Sequence, residues 1–374
     1  MGTPDHSRQD EIAARRRAID ELDAQLLELL NRRAQEVAAI GRLKAEQSGE
    51  VFDPAREQEI HERLAARNAG PLSPEAVRDI FAAILAAHRL LEKRLIVCYY
   101  GPAGSFTHLA ARRKFGSADL RPADSIADVF RAVEKREADL GVVPIENTTA
   151  GVVPLTLDAL VESQVTVRAE VYVDIEHYLL SHSPSLEQVT RVYSHPQALQ
   201  QCRIWLRSHL PRAEVIPVGS TSRAAELAAQ EPEAAAVGTA LAAELYRVPV
   251  LRQRIHDQAD NRTRFFVIGH PSAPPVPPAV RDKTSLVFSV AHKAGALHQA
   301  LGVFSSHHIN LTFIQSHPTK QTPWEYMFFV DVQGHAGQPP LSEALERLRA
   351  EAAQVRVLGS YPDESPEARP PGGS

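Results

Sequence analysis

The sequence predicts a multidomain chain with three architectures in order: an all-α unit, an α/β unit and a ferredoxin-like βαββαβ unit. Three observations predict this. Between Ile12 and Lys44 apolar residues recur at helical spacing. From Leu95 short apolar runs alternate with alanine-rich helical stretches. After a proline-rich stretch the pattern reads strand, helix, strand, strand, helix, strand.

The first unit, residues 1–94, opens with one long helix. Ile12, Ile19, Leu22, Leu26, Leu29, Leu30, Val37 and Ile40 form a single stripe on the helical wheel. A break containing Ser48 and Gly49 leads to a second helix around Pro54–Asn68. A third begins at the cap Ser73 with Pro74 in its first turn, and carries Val77, Phe81, Ile84, His88, Leu91 and Leu95 on one stripe. In the second unit, residues 95–270, the apolar runs are Leu95–Tyr100, Leu140–Ile145, Val165–Val173, Val192–Tyr193, Val215–Val218 and Ala234–Val237, ending near Phe266–Gly269. Residues 271–282 hold five prolines between Pro271 and Pro278 and read as a stiff linker. The third unit, residues 283–361, places strands at Ser285–Val290, Ile309–Ser316, Met327–Val332 and Val355–Leu358, with helices at Leu297–Ser305 and Leu341–Ala350. Residues 362–374 read as a disordered tail.

Composition narrows the function. A net charge of -5 argues against a nucleic-acid partner held by bulk electrostatics. The two cysteines, Cys98 and Cys202, are too few for a disulfide framework or a cysteine zinc cluster. The first thirty residues lack an apolar signal core, and no run of apolar residues is long enough to span a bilayer, so the expected setting is the cytoplasm, with no membrane partner. His307 and His308 are adjacent, so they cannot share one ligand point on a strand, and no metal site is expected.

The apolar stripe of the first helix carries cations. Arg33 lies in its middle, Lys44 on it and Arg16 at its edge, with Arg15 and Arg17 flanking so closely that the wheel does not choose among the three. A buried charge needs a partner, which is either a carboxylate of the same unit, such as Glu92, or a charged ligand. Arg33 and Lys44 are roughly 16 Å apart along the helix, but Arg16 is about 25 Å from Arg33 and about 42 Å from Lys44. If all three serve one small ligand, a second, antiparallel chain supplies Arg16. Asp53, Arg56 and Glu57 open the second helix, and His88 and Glu92 lie one turn apart on the third.

These residues carry a resemblance. Residues 12–94 resemble the all-helical chorismate mutase domain, an intertwined dimer in which each site borrows an arginine. The family pattern is matched by Arg16, Arg33, Lys44, Asp53, Arg56 and Glu57, and its register selects Arg16 over its neighbours. The resemblance implies that chorismate, a dicarboxylate, rearranges to prephenate without a nucleophile or a cofactor. Arg16 and Arg33 would clamp carboxylates, and Lys44 would donate to the ether oxygen. Glu92, where relatives carry Gln or Glu, must be protonated to donate to that oxygen. His88 stands where well-known members carry Ser.

In the α/β unit four polar clusters follow predicted strands: Gly101–His108 with Ser105, Glu146-Asn147-Thr148, Ser220-Thr221-Ser222, and Asn261-Arg262-Thr263-Arg264-Phe265. Such loops are where open α/β sheets gather ligands, although Ser105 and Ser222 read better as helix caps, and Ser194-His195-Pro196-Gln197 also fits a capped helix start. In this order they resemble prephenate dehydratase over about residues 95–269, a two-lobed domain with its site in the cleft. Thr263, Arg264 and Phe265 match the Thr-Arg-Phe signature, and the run from Ser194 to Cys202 matches with Gln201 at a site-linked position. The resemblance implies that Thr263 donates a hydrogen bond or proton to the departing hydroxyl, with Glu146, Asn147 and Gln201 at the ring. Residues 283–361 resemble an ACT domain, an amino-acid sensor. Gly295, Ala296 and Leu297 match its first motif, while its second, usually Glu-Ser-Arg-Pro, reads Gln315, Ser316, His317 and Pro318. The whole chain therefore resembles a bifunctional homodimeric enzyme of L-phenylalanine biosynthesis, inhibited by L-phenylalanine. Alternatives are arogenate, the aminated form of the same ring, as substrate of the second unit, and a non-catalytic amino-acid-responsive binding protein.

Overall fold

The computed structural model describes residues 4–46, 52–92, 95–116, 118–258, 260–318 and 326–366, with side chains described throughout these except at 4–8, 44–46 and 89–92. The backbone at Lys44 and Glu92 is helical, and both side chains lie outside the described residues.

Three helices come first: α1 (Pro4–Glu46), α2 (Pro54–Arg67) and α3 (Pro74–Glu92). Asp53 caps α2 by accepting from the backbone N–H of Arg56 at 3.0 Å, and Ser73 caps α3 by accepting from that of Ala76 at 3.1 Å. The long helix α1 packs on α3, yet its stripe is not covered: Ile12, Ile19, Leu22, Leu26 and Leu29 are 49–57 % exposed.

The α/β unit has two lobes, and the chain crosses between them twice. It builds β1 (Ile96–Tyr100), α4 (Phe106–Phe115), β2 (Asp119–Ala123), α5 (Ile126–Glu134), β3 (Leu140–Asn147), β4 (Gly151–Val152), α6 (Pro154–Glu162) and β5 (Thr166–Asp174) in the first lobe. The second lobe follows with β6 (Tyr178–Ser181), β7 (Arg191–Ser194), α7 (Pro196–Gln201), α8 (Arg203–His209), β8 (Glu214–Pro217), α9 (Thr221–Gln230), β9 (Ala234–Gly238), α10 (Ala240–Tyr246) and β10 (Val250–Arg252). The return strand β11 (Arg262–Gly269) inserts between β3 and β5, giving the order β2-β1-β3-β11-β5, with β4 paired to β3; the second sheet runs β10-β6-β9-β7-β8. The strands not expected from sequence, β2, β4, β6 and β10, are short, and only β6 carries adjacent leucines.

The third unit comprises β12 (Asp282–Ser289), α11 (Ala296–Ser306), β13 (Leu311–Pro318), β14 (Tyr326–Gln333), α12 (Leu341–Glu351) and β15 (Gln354–Pro362). Its antiparallel order β13-β14-β12-β15 is the ferredoxin-like arrangement. This sheet shares an apolar core with the first lobe, where Val287, Phe329, Leu358 and Tyr361 join Ile145, Leu157, Val167 and Phe266. At Gly359 the backbones come so close that an added Cβ would overlap the carbonyl oxygen of Val167. The linker is seated on the protein: Val276 is buried, its carbonyl accepts from His335 Nε2 at 3.0 Å, and that of Pro274 accepts from Arg168. Order also continues past the expected start of the tail. Asp363 is buried and pairs with Lys283 at 3.0 Å, and Glu364 pairs with Lys114; residues 367–374 lie outside the described ones.

Between the first lobe and the third unit lies a buried charge network. Arg264 Nε donates to Glu170 at 2.8 Å, its Nη1 to Asp331 at 2.5 Å and its Nη2 to the Tyr361 hydroxyl at 3.0 Å. Lys283 donates to the same Glu170 at 2.9 Å. The carboxylates around Arg264 and Lys283 hold both cations protonated, above their ordinary range, against the effect of burial. Removing one member of a buried pair leaves an uncompensated charge, at a cost of about 3–5 kcal/mol. Glu170→Ala, which strips both cations of a shared partner, is therefore expected to lower the calorimetric melting transition; a melting curve that matches the wild type would show that the network adds no stability.

Candidate functional sites

In the helical unit, Arg33 and His88 meet: the guanidinium of Arg33 donates from Nη1 to Nδ1 of His88, which is 8 % exposed. Burial depresses the pKa of both groups, and the Arg33 charge depresses that of His88 further. The described partner of Arg33 is thus a neutral imidazole. Arg16 lies exposed on α1. Asp53 serves the α2 cap, Arg56 pairs with Glu59, and Glu57 points toward Lys114 of the α/β unit at 4.0 Å. A single chain therefore brings together Arg33 and His88 and leaves Arg16, Arg56 and Glu57 dispersed.

In the α/β unit the expected clusters divide. Asn147, at the end of β3, stands beside Thr263 of β11 through the strand register. The Asn147 carboxamide can be oriented without ambiguity. Its Oδ1 receives the backbone N–H groups of Thr149 at 3.0 Å and Ala150 at 2.9 Å, which can only donate. Its Nδ2 therefore faces three acceptors: Asn261 Oδ1 at 2.8 Å, Thr263 Oγ1 at 2.8 Å and the Arg262 carbonyl at 3.2 Å. Thr263 accepts from Asn147, which leaves its own hydrogen for another acceptor. Thr148 packs alongside, accepting from the Arg262 N–H at 2.9 Å and donating to the Asp260 carbonyl. Gln201, at the end of α7 in the second lobe, reaches Thr149 Oγ1 at 3.4 Å and His177 Nε2 at 2.7 Å.

Ser105 and Ser220 cap α4 and α9, with Thr221 opening α9 behind Ser220. Ser222 differs: its hydroxyl is buried without a hydrogen-bond partner among the described residues, and it faces the loop at Gly104. Gly104 has φ of 86°, and a Cβ there would sit 3.1 Å from Ser222 Oγ, so the two lobes meet where only glycine fits. Thr239 of the second lobe fixes the same loop by donating to the Gly104 carbonyl at 2.7 Å.

Arg264, Glu146 and Phe265, expected at the ligand, do not join the Thr263–Asn147 cluster. Alternation along β11 turns Arg264 to the face opposite Thr263, into the charge network shared with the third unit. Glu146 pairs with Arg264 in register, and its half-buried carboxyl is pushed up by desolvation while Arg264 opposes this. Phe265 is 1 % exposed in the core with Tyr99 and Val142.

In the third unit Ala296 and Leu297 line a cavity of about 1010 Å³ that also takes in Val161 and Gln164 of the α/β unit, Met327 and Arg356. Gly295 precedes α11 with φ of 79°. The second motif faces elsewhere. Gln315 donates to the carbonyl of Ser316, His317 Nε2 is 2.8 Å from Asp158 on α6, and Pro318 ends β13.

Residues 15–93 match the family Chorismate mutase type II, residues 97–273 Prephenate dehydratase and residues 284–350 the ACT domain. The bifunctional chorismate mutase/prephenate dehydratase of Aquifex aeolicus is 43 % identical over 358 residues, covering 94 % of this chain and 98 % of its own. The chain belongs to the bifunctional chorismate mutase/prephenate dehydratase family. Among solved structures, the prephenate dehydratase of Arthrobacter aurescens in complex with L-Phe is 34 % identical with a TM-score of 0.66, covering 71 % of this chain and 90 % of its own. GqqA, described as a novel type of quorum quenching acylase, is 32 % identical with a TM-score of 0.68, covering 73 % of this chain and all of its own.

Two residues beside the dehydratase cluster escape a reading by motif, Thr149 and His177. Thr149 follows Glu146-Asn147-Thr148 directly and looks like turn composition. His177 is a lone histidine on the first crossing between lobes, and its only sequence signal is that it stands with Glu176 between two apolar strands. It is 1 % exposed, and burial lowers its pKa from 6.5 to about 4. The unfolded chain takes up the proton as pH falls through 6.5 while the folded chain refuses it until about 4. Stability is therefore full above pH 6.5 and declines below it, with a contribution of about 3 kcal/mol from this group. Denaturant titrations at pH 7.5 and 4.5 are expected to show a smaller acid loss in His177→Phe than in the wild type; equal losses would mean that His177 is protonated in the fold.

Proposed function

We propose that residues 1–94 rearrange chorismate to prephenate and residues 95–270 convert prephenate to phenylpyruvate, with 271–282 linking them to an ACT domain at 283–361 that receives L-phenylalanine as feedback inhibitor. The observation that carries the dehydratase reading is the free hydrogen of Thr263. Loss of carbon dioxide and the ring hydroxyl makes the ring aromatic, so the enzyme has to hold the dianion and stabilise a departing hydroxide. A hydroxyl whose lone pair already accepts from Asn147 donates its hydrogen outward, and it suits that oxygen. Gln201 stands at the ring beside it, and Asn147, whose amide is spent on the protein, holds Thr263. Prephenate, rather than arogenate, is the substrate of this reading. For the effector, Ala296 and Leu297 on the wall of the large cavity support a small amino acid there.

The mutase step is pericyclic and needs the reactive conformer held and the ether oxygen stabilised. Arg33, steadied by His88, clamps a carboxylate, and Lys44 and a protonated Glu92 donate to the ether oxygen. Asp53, Arg56 and Glu57 belong to this reading through the family pattern, since the single chain leaves them apart from Arg33 and His88. The uncovered stripe of α1 supports a second copy as its cover, since each large apolar side chain gains about 1.5–3 kcal/mol on burial. In that antiparallel homodimer the partner subunit's Arg16 completes the site. This reading places both reactions in the cytoplasm. No helix among the described residues is long and apolar enough to cross a membrane.

Purified protein given chorismate is expected to release phenylpyruvate, and Thr263→Ala to accumulate prephenate instead, with dehydratase kcat down by about 10²–10⁴-fold. Absence of turnover in the wild type would refute the enzyme reading, and equal loss of both activities in Thr263→Ala would deny Thr263 a specific role. Mixing inactive Arg16→Ala with inactive Lys44→Ala under subunit exchange is expected to restore up to about a quarter of mutase activity, because half the molecules become heterodimers with one intact site. No recovery despite demonstrated exchange would return these cations to a structural role.

A further inference from the structure

The first crossing between the lobes holds a histidine with one unsatisfied nitrogen. His177 is buried, and its Nδ1 has no hydrogen-bond partner among the described residues. Its ring is wedged edge-on against Phe106 at 5.4 Å. A side chain chosen only to fill this space would be apolar, since an orphaned buried acceptor is costly. Among the described residues, the contact that uses the imidazole's chemistry is the 2.7 Å bond from Nε2 to Gln201 Oε1.

The direction of that bond follows from the cluster it leads into. Asn147 Oδ1 is held by two backbone N–H groups and accepts, so the Thr149 hydroxyl, 2.7 Å away, spends its hydrogen on it. Thr149 Oγ1 then has only lone pairs for Gln201, and receives Nε2 at 3.4 Å. The other end of the carboxamide, Oε1, faces His177 and accepts, so the imidazole is the Nε2–H tautomer. Every hydrogen bond in the series His177, Gln201, Thr149, Asn147, Thr263 points the same way. It begins at a group with no incoming donor and ends at a hydroxyl that must donate to something outside the series.

We propose that His177 and Thr149 are positioning residues for the dehydratase reaction, which through Gln201 and Asn147 keep the Thr263 hydroxyl aimed at the leaving group of the substrate. This rests on the dehydratase reading above. The path joins both lobes: Gln201 ends α7 of the second lobe, His177 lies on the first crossing, and Thr149, Asn147 and Thr263 belong to the first lobe. The backbone braces it, with Ile255 N–H donating to the His177 carbonyl at 2.9 Å and Asp257 N–H to the Gln201 carbonyl at 2.8 Å. A valine at position 149 would take one of the three donors from Asn147 Oδ1 and the acceptor from Gln201 Nε2, so the backbone N–H groups would still orient Asn147 but the hold on its position, and through it on Thr263, would loosen.

Steady-state kinetics on prephenate with the full chain tests this, with mutase turnover of chorismate as the folding control. Thr149 is exposed, so Thr149→Val keeps shape without its hydroxyl and Thr149→Ser restores the hydroxyl. We expect Thr149→Val to lower kcat by about tenfold with KM within about twofold, consistent with the loss of one aligned hydrogen bond. Thr149→Ser should return kcat to near the wild-type value. His177→Phe should lower kcat similarly, and adding it to Thr149→Val should produce no further loss, as for groups that act as one unit. Wild-type kcat in Thr149→Val, failure of serine to rescue, or multiplied losses in the double variant would each overturn the proposal. Absence of prephenate turnover in the wild type would instead strike the dehydratase reading, and this proposal with it.

Discussion

Alternation along one strand governs how the second and third domains of this protein relate. In β11 Thr263 and Arg264 are neighbours in the chain and face opposite ways. Thr263 meets Asn147 in the polar cluster, while Arg264 is anchored on Asp331 of the ACT sheet and on Glu170 of β5. The strand lies in the middle of the first sheet, paired on both sides, so it cannot rotate about its own axis without breaking ladders to β3 and β5. The placement of Thr263 therefore depends on Arg264 being satisfied, and Arg264 is satisfied mainly by charges that no water reaches. A sheet interior is a rigid mount for such a pair, more so than a loop would be.

A second constraint is how closely the domains are joined. The mutase helices reach the dehydratase lobe through Phe52, which packs with Phe115 at 5.2 Å inside the lobe's own core. Lys114, next to Phe115 at the end of α4, meets Glu57 of the helical unit and Glu364 of the segment that follows β15. Apolar contact supplies the area at both junctions, and the charges fix register, since a buried pair mismatched by a residue leaves both partners exposed to the cost of desolvation. The linker prolines are consistent with this: they follow the surface and are pinned by Arg168 and His335, so the linker holds a path more than it supplies freedom.

Much of this was legible in the chain because it obeys local periodicity. The stripe on α1, the cap at Ser73 and the βαββαβ order of the last unit all rest on local spacing, whereas Asp53, expected in the substrate site, proved to cap α2. Thr263 and Asn147 could be placed together by resemblance, and the register of β3 and β11 does bring them together. What sequence hid is what depends on facing. Arg264 and Glu146 sit inside polar motifs, and a motif does not announce that every other side chain leaves by the opposite face. Phe265 was hidden for a related reason, since it returns to the face of Thr263 but lies deeper, in the core. His177 and Thr149 were invisible because their significance is the direction of hydrogen bonds, which depends on backbone N–H groups that no composition records. Short edge strands such as β2 and β10 lack apolar runs because one side of each is left to solvent.

Consider finally the order in which a ribosome makes these groups. Arg264 emerges sixty-seven residues before Asp331, its acidic partner in β14. During that interval the dehydratase lobe can close its sheet, and Arg264 can find Glu170, but half of its charge compensation has yet to be synthesised. The lobe also presents Ile145, Leu157, Val167 and Phe266 to water until β12, β14 and β15 cover them. The nascent chain thus carries an incomplete apolar face and a half-neutralised arginine together, in the same place. Both are resolved by one event, the docking of the last sheet, so the dehydratase domain finishes folding only after the domain that follows it has been made.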